Sequence, residues 1–185
     1  MNQEYETPRL QLKVLNETYA TQVLWFCSEG RSTFSRVEPV KPAGFYTAGY
    51  QAAILRGEYK SCLMGTYIRY YMFHAAAPDR IIGTVSFSNI RKEPYNSCIL
   101  GYKLLPEFQG QGYAFEALEC LISAIFSEND LHRIEAFVLP DNHASIKLLK
   151  RLRFQSEGIA RSVIKLKNGF TDHLRYSLIN PSHLP

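Results

Sequence analysis

The sequence is poor in the features that would place a chain outside the ordinary globular classes. Its 4 cysteines, Cys27, Cys62, Cys98 and Cys120, are scattered, with no C-x-x-C pair among them. That spacing excludes a disulfide framework or a cysteine-built zinc site, and reads as four reduced thiols acting as small buried hydrophobes. No apolar run approaches the ~20 residues that a membrane-spanning helix needs. The first residues, Met1-Asn2-Gln3-Glu4-Tyr5-Glu6, are polar and acidic where a signal peptide is basic and then apolar. Low-complexity tracts, internal repeats and long charge blocks are also missing. These absences lead to the expectation of a cytoplasmic chain with no membrane partner.

What is present describes one domain, 1–185. A chain of 185 residues with 46% hydrophobic content can bury a core without crosslinks or metal. Its net charge of +4 gives a weak positive field that suits an anionic ligand. The basic residues form no dense patch, so no specific nucleic-acid partner is expected. Nothing in the pattern separates a monomer from a homodimer.

Periodicity supplies a coarse map. Leu10, Leu12 and Val14 alternate with polar residues, as in a half-buried strand. Asn16-Glu17-Thr18 offers a cap, and Tyr19, Val23 and Phe26 follow at helical spacing. Residues 30–44, broken by Pro39 and Pro42, read as loop, and 50–57 as a further helix. Strands are expected over 62–73 and 81–87, with 75–80 as the turn between them, and a third extended segment over 98–103. Four extended segments in succession suggest an antiparallel meander. Beyond a central helix from Phe115 to Phe126, a strand is expected over 133–138 and a helix over 142–152. A final hairpin turns at Asn168-Gly169. The class is mixed α/β (α+β).

The rest is organised around Leu104-Leu105-Pro106-Glu107-Phe108-Gln109-Gly110-Gln111-Gly112-Tyr113-Ala114, which leaves an extended segment and enters the central helix. Strand, glycine-bearing turn and helix in that order make an anion site. First-turn N–H groups lack intrahelical partners, the helix dipole adds positive charge, and glycine lets a phosphate approach the backbone. The dinucleotide fingerprint G-x-G-x-x-G fails for want of a third glycine, and the P-loop fails for want of Lys-Ser or Lys-Thr. Two glycines can also do no more than mark a tight turn into a helix. The pattern that does fit is Q/R-x-x-G-x-G/A, met by Gln109, Gly112 and Ala114. It resembles the acetyl-CoA-binding motif of the GNAT N-acetyltransferase superfamily.

A second constellation begins at Asp141-Asn142-His143-Ala144-Ser145, where Asp or Asn caps a helix and Ile146, Leu149 and Leu152 form its buried stripe. Asn142 and Ser145 lie about one turn apart, so both can face a ligand. The run N-x-x-S-x-x-L-L, then Phe154 and Glu157-Gly158, is similar to the second half of the GNAT cofactor site. Phe87-Ser88-Asn89, Leu100-Gly101-Tyr102, Phe115-Glu116-Ala117-Leu118, His132-Arg133-Ile134 and Asp172-His173 resemble the RimJ-type ribosomal-protein-alanine N-acetyltransferases in the same order. The likeness covers residues 7–178. One departure is Arg153 where the family usually has glycine at the helix end, a position less comfortable for a residue in a left-handed conformation.

The resemblance implies a mostly antiparallel central sheet that splays beside the central stretch, flanked by helices on both faces. It implies acetyl transfer from acetyl-CoA to an amine by direct attack in a ternary complex. Leu104 and Leu105 would then present backbone groups to the pantetheine arm and thioester oxygen. The amides of Gln109, Gly110, Gln111, Gly112, Tyr113 and Ala114 would hold the pyrophosphate, and Asn142 the pantetheine chain. Ser145 is the candidate general acid for the leaving thiolate, with one of the 12 tyrosines as the alternative. Glu38, in Val37-Glu38-Pro39, is the candidate base, alone or through an ordered water, while Glu116 reads as structural. The implied acceptor is the N-terminal α-amine of a ribosomal protein. Alternatives are a small amine or antibiotic, and a non-catalytic acetyl-CoA sensor or ribosome-interaction module. No metal is expected, since His132 and His143 lack a chelating partner at the usual spacing, and no G-x-S-x-G elbow supports a hydrolase.

Overall fold

In the computed structural model, which describes residues 2–183, the alternating segment at Leu10 and Leu12 becomes strand β2 (Leu10–Lys13), with both leucines fully buried. The other strands are β1 (Glu4–Glu6), β3 (Ile68–His74), β4 (Ala77–Arg91), β5 (Ser97–Leu104), β6 (Arg133–Val138), β7 (Gln155–Leu166) and β8 (Gly169–Ile179). They form one sheet in the order β1-β2-β3-β4-β5-β6-β8-β7. The expected meander is β2 through β5, extended at its outer edge by β1. Strands β5 and β6 pair in parallel, which a tight turn cannot achieve. The crossover is helix α4 (Tyr113–Asn129).

Successive strand side chains point to opposite faces, so β3 serves two cores. Ile68, Tyr70 and Met72 join a cluster with Leu118, Leu121 and Ile125 of α4 and Leu149 of α5 (His143–Arg151). Tyr71 and Phe73 join another with Val23 and Phe26 of α1 (Ala20–Glu29), Phe34 of α2 (Arg31–Phe34) and Leu55 of α3 (Ala48–Leu63). Helices thus cover both faces.

The feature that positions the site is where β5 and β6 part. Their registered pairs are Ser97–Arg133, Cys98–Ile134 and Ile99–Glu135. Beyond them the strands diverge, while β5 continues to pair with β4 as far as Leu104 and β6 with β8 as far as Val138. The splay expected from the resemblance is present.

Some boundaries differ from expectation. The segment from Cys62 was expected to begin a strand, but Cys62 and Leu63 end α3 and the strand starts at Ile68. Leu63 and Met64 prolong the apolar run in the sequence yet lie exposed at the helix end. The turn expected over 75–80 shrinks to Ala75-Ala76, because β4 begins at Ala77. The last hairpin starts earlier than expected, at Gln155; most of β7 is exposed, so its sequence carries no alternation to read.

Arg153 follows the last turn of α5 with φ of 66°, the left-handed region. An L-residue pays about 1–2 kcal/mol there, and glycine gives some of that back through unfolded-chain entropy. Arg153→Gly is therefore expected to stabilise the fold by about 0.5–1 kcal/mol, raising Tm by roughly 1–4 °C in a chain of this size. A thermal melt in which Tm stays level or falls would overturn this.

Candidate active site

The turn leaving β5 is open and glycine-bearing. Gly110 and Gly112 sit at φ of 74° and 85°, where a Cβ is strained. Gly112 is also the N-cap of α4 and has no side-chain cap hydrogen bond. The first-turn amides of α4 therefore face outward without a competing side chain. Gln109 turns back, its Nε2 donating to Leu104 O at 3.1 Å, and Gln111 Nε2 donates to Glu107 O at 2.5 Å. Their side chains shape the turn. Gln109 was expected to offer its amide to a pyrophosphate, but that N–H donates to Pro106 O at 3.1 Å and closes the turn, so the outward amides begin at Gly110.

Leu104 and Leu105 part company. Leu105 N–H donates to Ile82 O at 2.9 Å, its carbonyl accepts from Phe108 N, and its side chain is fully buried against α1 and α3. It is committed to the scaffold. Backbone groups alternate sides along a strand, so the neighbouring Leu104 N–H points away from β4, toward the splay.

A cavity of about 220 Å³ occupies that splay and passes between the two faces. From the α5 side it is lined by Tyr102, Asn142, Ser145 and Leu149, and from the opposite side by Glu38, Arg69, Thr84 and Lys103. The structure thus brings Glu38, Asn142 and Ser145, far apart in sequence, to one space. Asn142 caps α5, its Oδ1 accepting from Ser145 N at 3.1 Å, so the amide nitrogen carries the donors left for a ligand.

Charge in this cavity is arranged in pairs. Glu38 Oε1 lies 2.6 Å from Lys103 Nζ and Oε2 lies 2.7 Å from Lys41 Nζ. Burial pushes the Glu38 carboxyl up, but the Lys103 and Lys41 ammoniums more than reverse this and leave it below its ordinary range. Lys103, packed over the Phe34 ring at 4.5 Å, is itself pulled below the usual lysine range by burial, against the pull of Glu38. Arg69 Nη1 lies 2.8 Å from Glu58 Oε1, and Tyr71 Oη donates to the other Glu58 oxygen at 3.3 Å.

Sequence reasoning missed Lys103, Arg69 and Tyr102 as members of the site. A charged residue inside an otherwise apolar strand, as in Ile68-Arg69-Tyr70 or Tyr102-Lys103-Leu104, was the available signal. Tyr102 Oη lies 3.4 Å from Ser145 O, and burial pushes its phenol up to about 12, so it is a protonated donor at neutral pH. Glu116 is structural as expected: it accepts from Thr7 Oγ1 at 2.6 Å and from Arg9 N and Nε at 2.9 and 2.6 Å. Among the described residues no group of three His, Cys, Asp or Glu could hold a metal, and no helix is long and apolar enough to cross a membrane.

A mixed sheet splayed beside a glycine-bearing turn, with a cavity crossing the splay, is the arrangement that the resemblance to acetyltransferases implies. Comparison with known proteins agrees. Residues 9–155 match the acetyltransferase (GNAT) domain family. The [ribosomal protein uS5]-alanine N-acetyltransferase of Escherichia coli is 31% identical over 183 residues, covering 97% of this chain and 92% of that protein. The probable N-acetyltransferase YjcK of Bacillus subtilis is 31% identical over 172 residues, covering 93% and 94%. The solved ribosomal-protein-S5-alanine acetyltransferase of Vibrio fischeri superposes with a TM-score of 0.93 at 27% identity, over 100% of both chains. The chain belongs to the GNAT family of acetyl-CoA-dependent acetyltransferases.

Proposed function

We propose that this chain acetylates the N-terminal α-amine of a protein, a ribosomal protein in the first instance, in the cytoplasm. The observation that carries the reading is the Glu38 carboxylate, held between Lys103 and Lys41 at the cavity wall. A carboxylate so paired accepts hydrogen bonds but is a weak base. An α-amine, with pKa about 7.7–8.0, is already partly neutral near pH 7, whereas a lysine, at about 10.4, needs a strong base to react. The site therefore suits an α-amine better than a lysine side chain.

Residues take the following roles. Acetyl-CoA supplies the acetyl thioester. The amides of Gly110, Gln111, Gly112, Tyr113 and Ala114 fit its pyrophosphate, and Asn142 its pantetheine arm. Leu104 N–H is the donor available to a developing oxyanion. Glu38 orients the incoming amine by accepting one of its hydrogens, and Ser145 or Tyr102 donates to the departing thiolate. A hollow of about 660 Å³ that shares Phe137 with the cavity, and is lined also by Ile99, Ala160 and Val163, offers room for residues following the acceptor amine. That room favours a peptide over a small amine, and the uS5-alanine enzyme among the relatives supports a ribosomal acceptor.

The test is thiol release from acetyl-CoA with alanine-starting peptides, N-terminally blocked lysine peptides and polyamines. Turnover confined to free α-amines is expected. Activity on polyamines alone would replace this reading with a small-amine enzyme. Tight acetyl-CoA binding with no turnover on any acceptor would replace it with a sensor.

A further inference from the structure

The turn is exposed from Gln109 to Gly112, and two of these residues are glycines in the left-handed region, yet an acceptor of pyrophosphate gains from being set in advance. One side chain from the far end of the sequence is wrapped against it. Arg9, the residue before β2, donates from Nη1 to Gln111 O at 3.0 Å. Its Nε and its backbone N–H both bind Glu116, in the first turn of α4, at 2.6 and 2.9 Å. Its guanidinium lies over the Tyr113 ring, 4.5 Å from the centroid. A Cβ on Gly112 would meet Arg9 Nη2 at 3.3 Å.

We propose that Arg9 is the positioning residue of the pyrophosphate turn, a role that rests on the acetyl-CoA reading above. The planar fork spans Gln111 O on one side and Glu116 on the other, so it fixes the turn relative to the axis of α4. The carboxylate of Glu116 neutralises it, which makes its contribution geometric: it aims the amides and does not add free charge. Lysine carries one donor centre and cannot span both partners. Nothing in this arrangement touches the splay, where the acetyl group and amine would meet.

The experiment compares acetyl-CoA with S-acetylpantetheine, which lacks the pyrophosphate, in the wild type, Arg9→Ala and Arg9→Lys. Arg9→Ala is expected to raise KM for acetyl-CoA about tenfold with kcat within about twofold, since the displaced turn lies far from the reacting atoms. For S-acetylpantetheine, kcat/KM should stay level in all three proteins. Arg9→Lys should fall nearer alanine than wild type on acetyl-CoA. Equal losses with both donors would mean that Arg9 merely holds the fold, and would overturn the proposal, as would an unchanged KM for acetyl-CoA. If Arg9→Ala does not fold, the same comparison on Arg9→Lys decides. A wild-type chain that uses neither donor overturns both the reading and the proposal, whereas failure of the proposal alone leaves wild-type turnover intact.

Discussion

Ser145→Ala combined with Tyr102→Phe should lower kcat by about 10²–10³-fold, while each single change costs about tenfold or less. The leaving thiolate, with a conjugate acid near 8.5 by analogy with cysteine, needs a hydrogen-bond donor as it departs. Two hydroxyls line the same cavity, one on the first turn of α5 and one on β5, and the Tyr102 phenol is within 3.4 Å of the Ser145 carbonyl. Either can occupy the donor's place when the other is removed, so the losses should be far from additive. Neither group titrates near neutrality: a serine hydroxyl does not, and burial holds the phenol at about 12. The double variant should therefore lose amplitude at every pH from about 6 to 9 without moving the profile. The measurement is kcat at saturating alanine-starting peptide. A double variant as fast as wild type would remove both residues from the mechanism, and a single Ser145→Ala as slow as the double would remove Tyr102 alone.

The contrast between these two residues shows what a sequence makes visible. Ser145 stands in a contiguous run with its cap Asn142 and its buried stripe, so local spacing places it on a helix start and the family resemblance of that run singles it out. Gln109, Gly112 and Ala114 are legible for the same reason, and their turn was found as expected because its geometry is written in neighbouring glycines. Tyr102 and Lys103 reach the cavity only because β5 leaves β6 after Ile99, an event of strand pairing between segments more than 30 residues apart. No window along the chain contains it. Glu38 was placed by resemblance, but the two lysines that set its character were not foreseen, since Lys103 comes from β5 and only Lys41 is near in sequence. Leu105 failed the opposite way: it adjoins the motif, yet its N–H and carbonyl are spent on Ile82 and Phe108. The long β7 was underestimated because an exposed strand has little hydrophobic pattern. Arg153, by contrast, was recognisable as an uncomfortable residue from one missing glycine, and its φ of 66° agrees.

Lys103→Met should destabilise the fold by about 2–3 kcal/mol at pH 7, and Glu38→Gln added to it should recover much of that loss. Removing one member of a buried pair strands the other charge, typically at about 3–5 kcal/mol; here Lys41 remains on Glu38 and moderates the cost. Removing both members discards the unpaired charge along with the attraction. The pH dependence has a defined sign. Glu38 lies below its unfolded value in the native state, so its contribution is complete above about 4.3 and is lost as pH falls through its lower folded value. Lys103 lies below its own unfolded value, so its burial is a cost present at neutral pH and relieved as pH rises toward about 10.4. The Tm gap between wild type and Lys103→Met should therefore be widest near neutrality and close in acid. In turnover, Glu38→Gln should reduce kcat/KM yet leave its rising limb at the acceptor's own pKa of about 7.7–8.0, because a carboxylate already ionised throughout that range cannot set it. A limb that moves or vanishes in Glu38→Gln would restore Glu38 as the base and remove the ground for preferring an α-amine. A double variant less stable than Lys103→Met would show instead that the loop bearing Glu38 is held by contacts other than this pair.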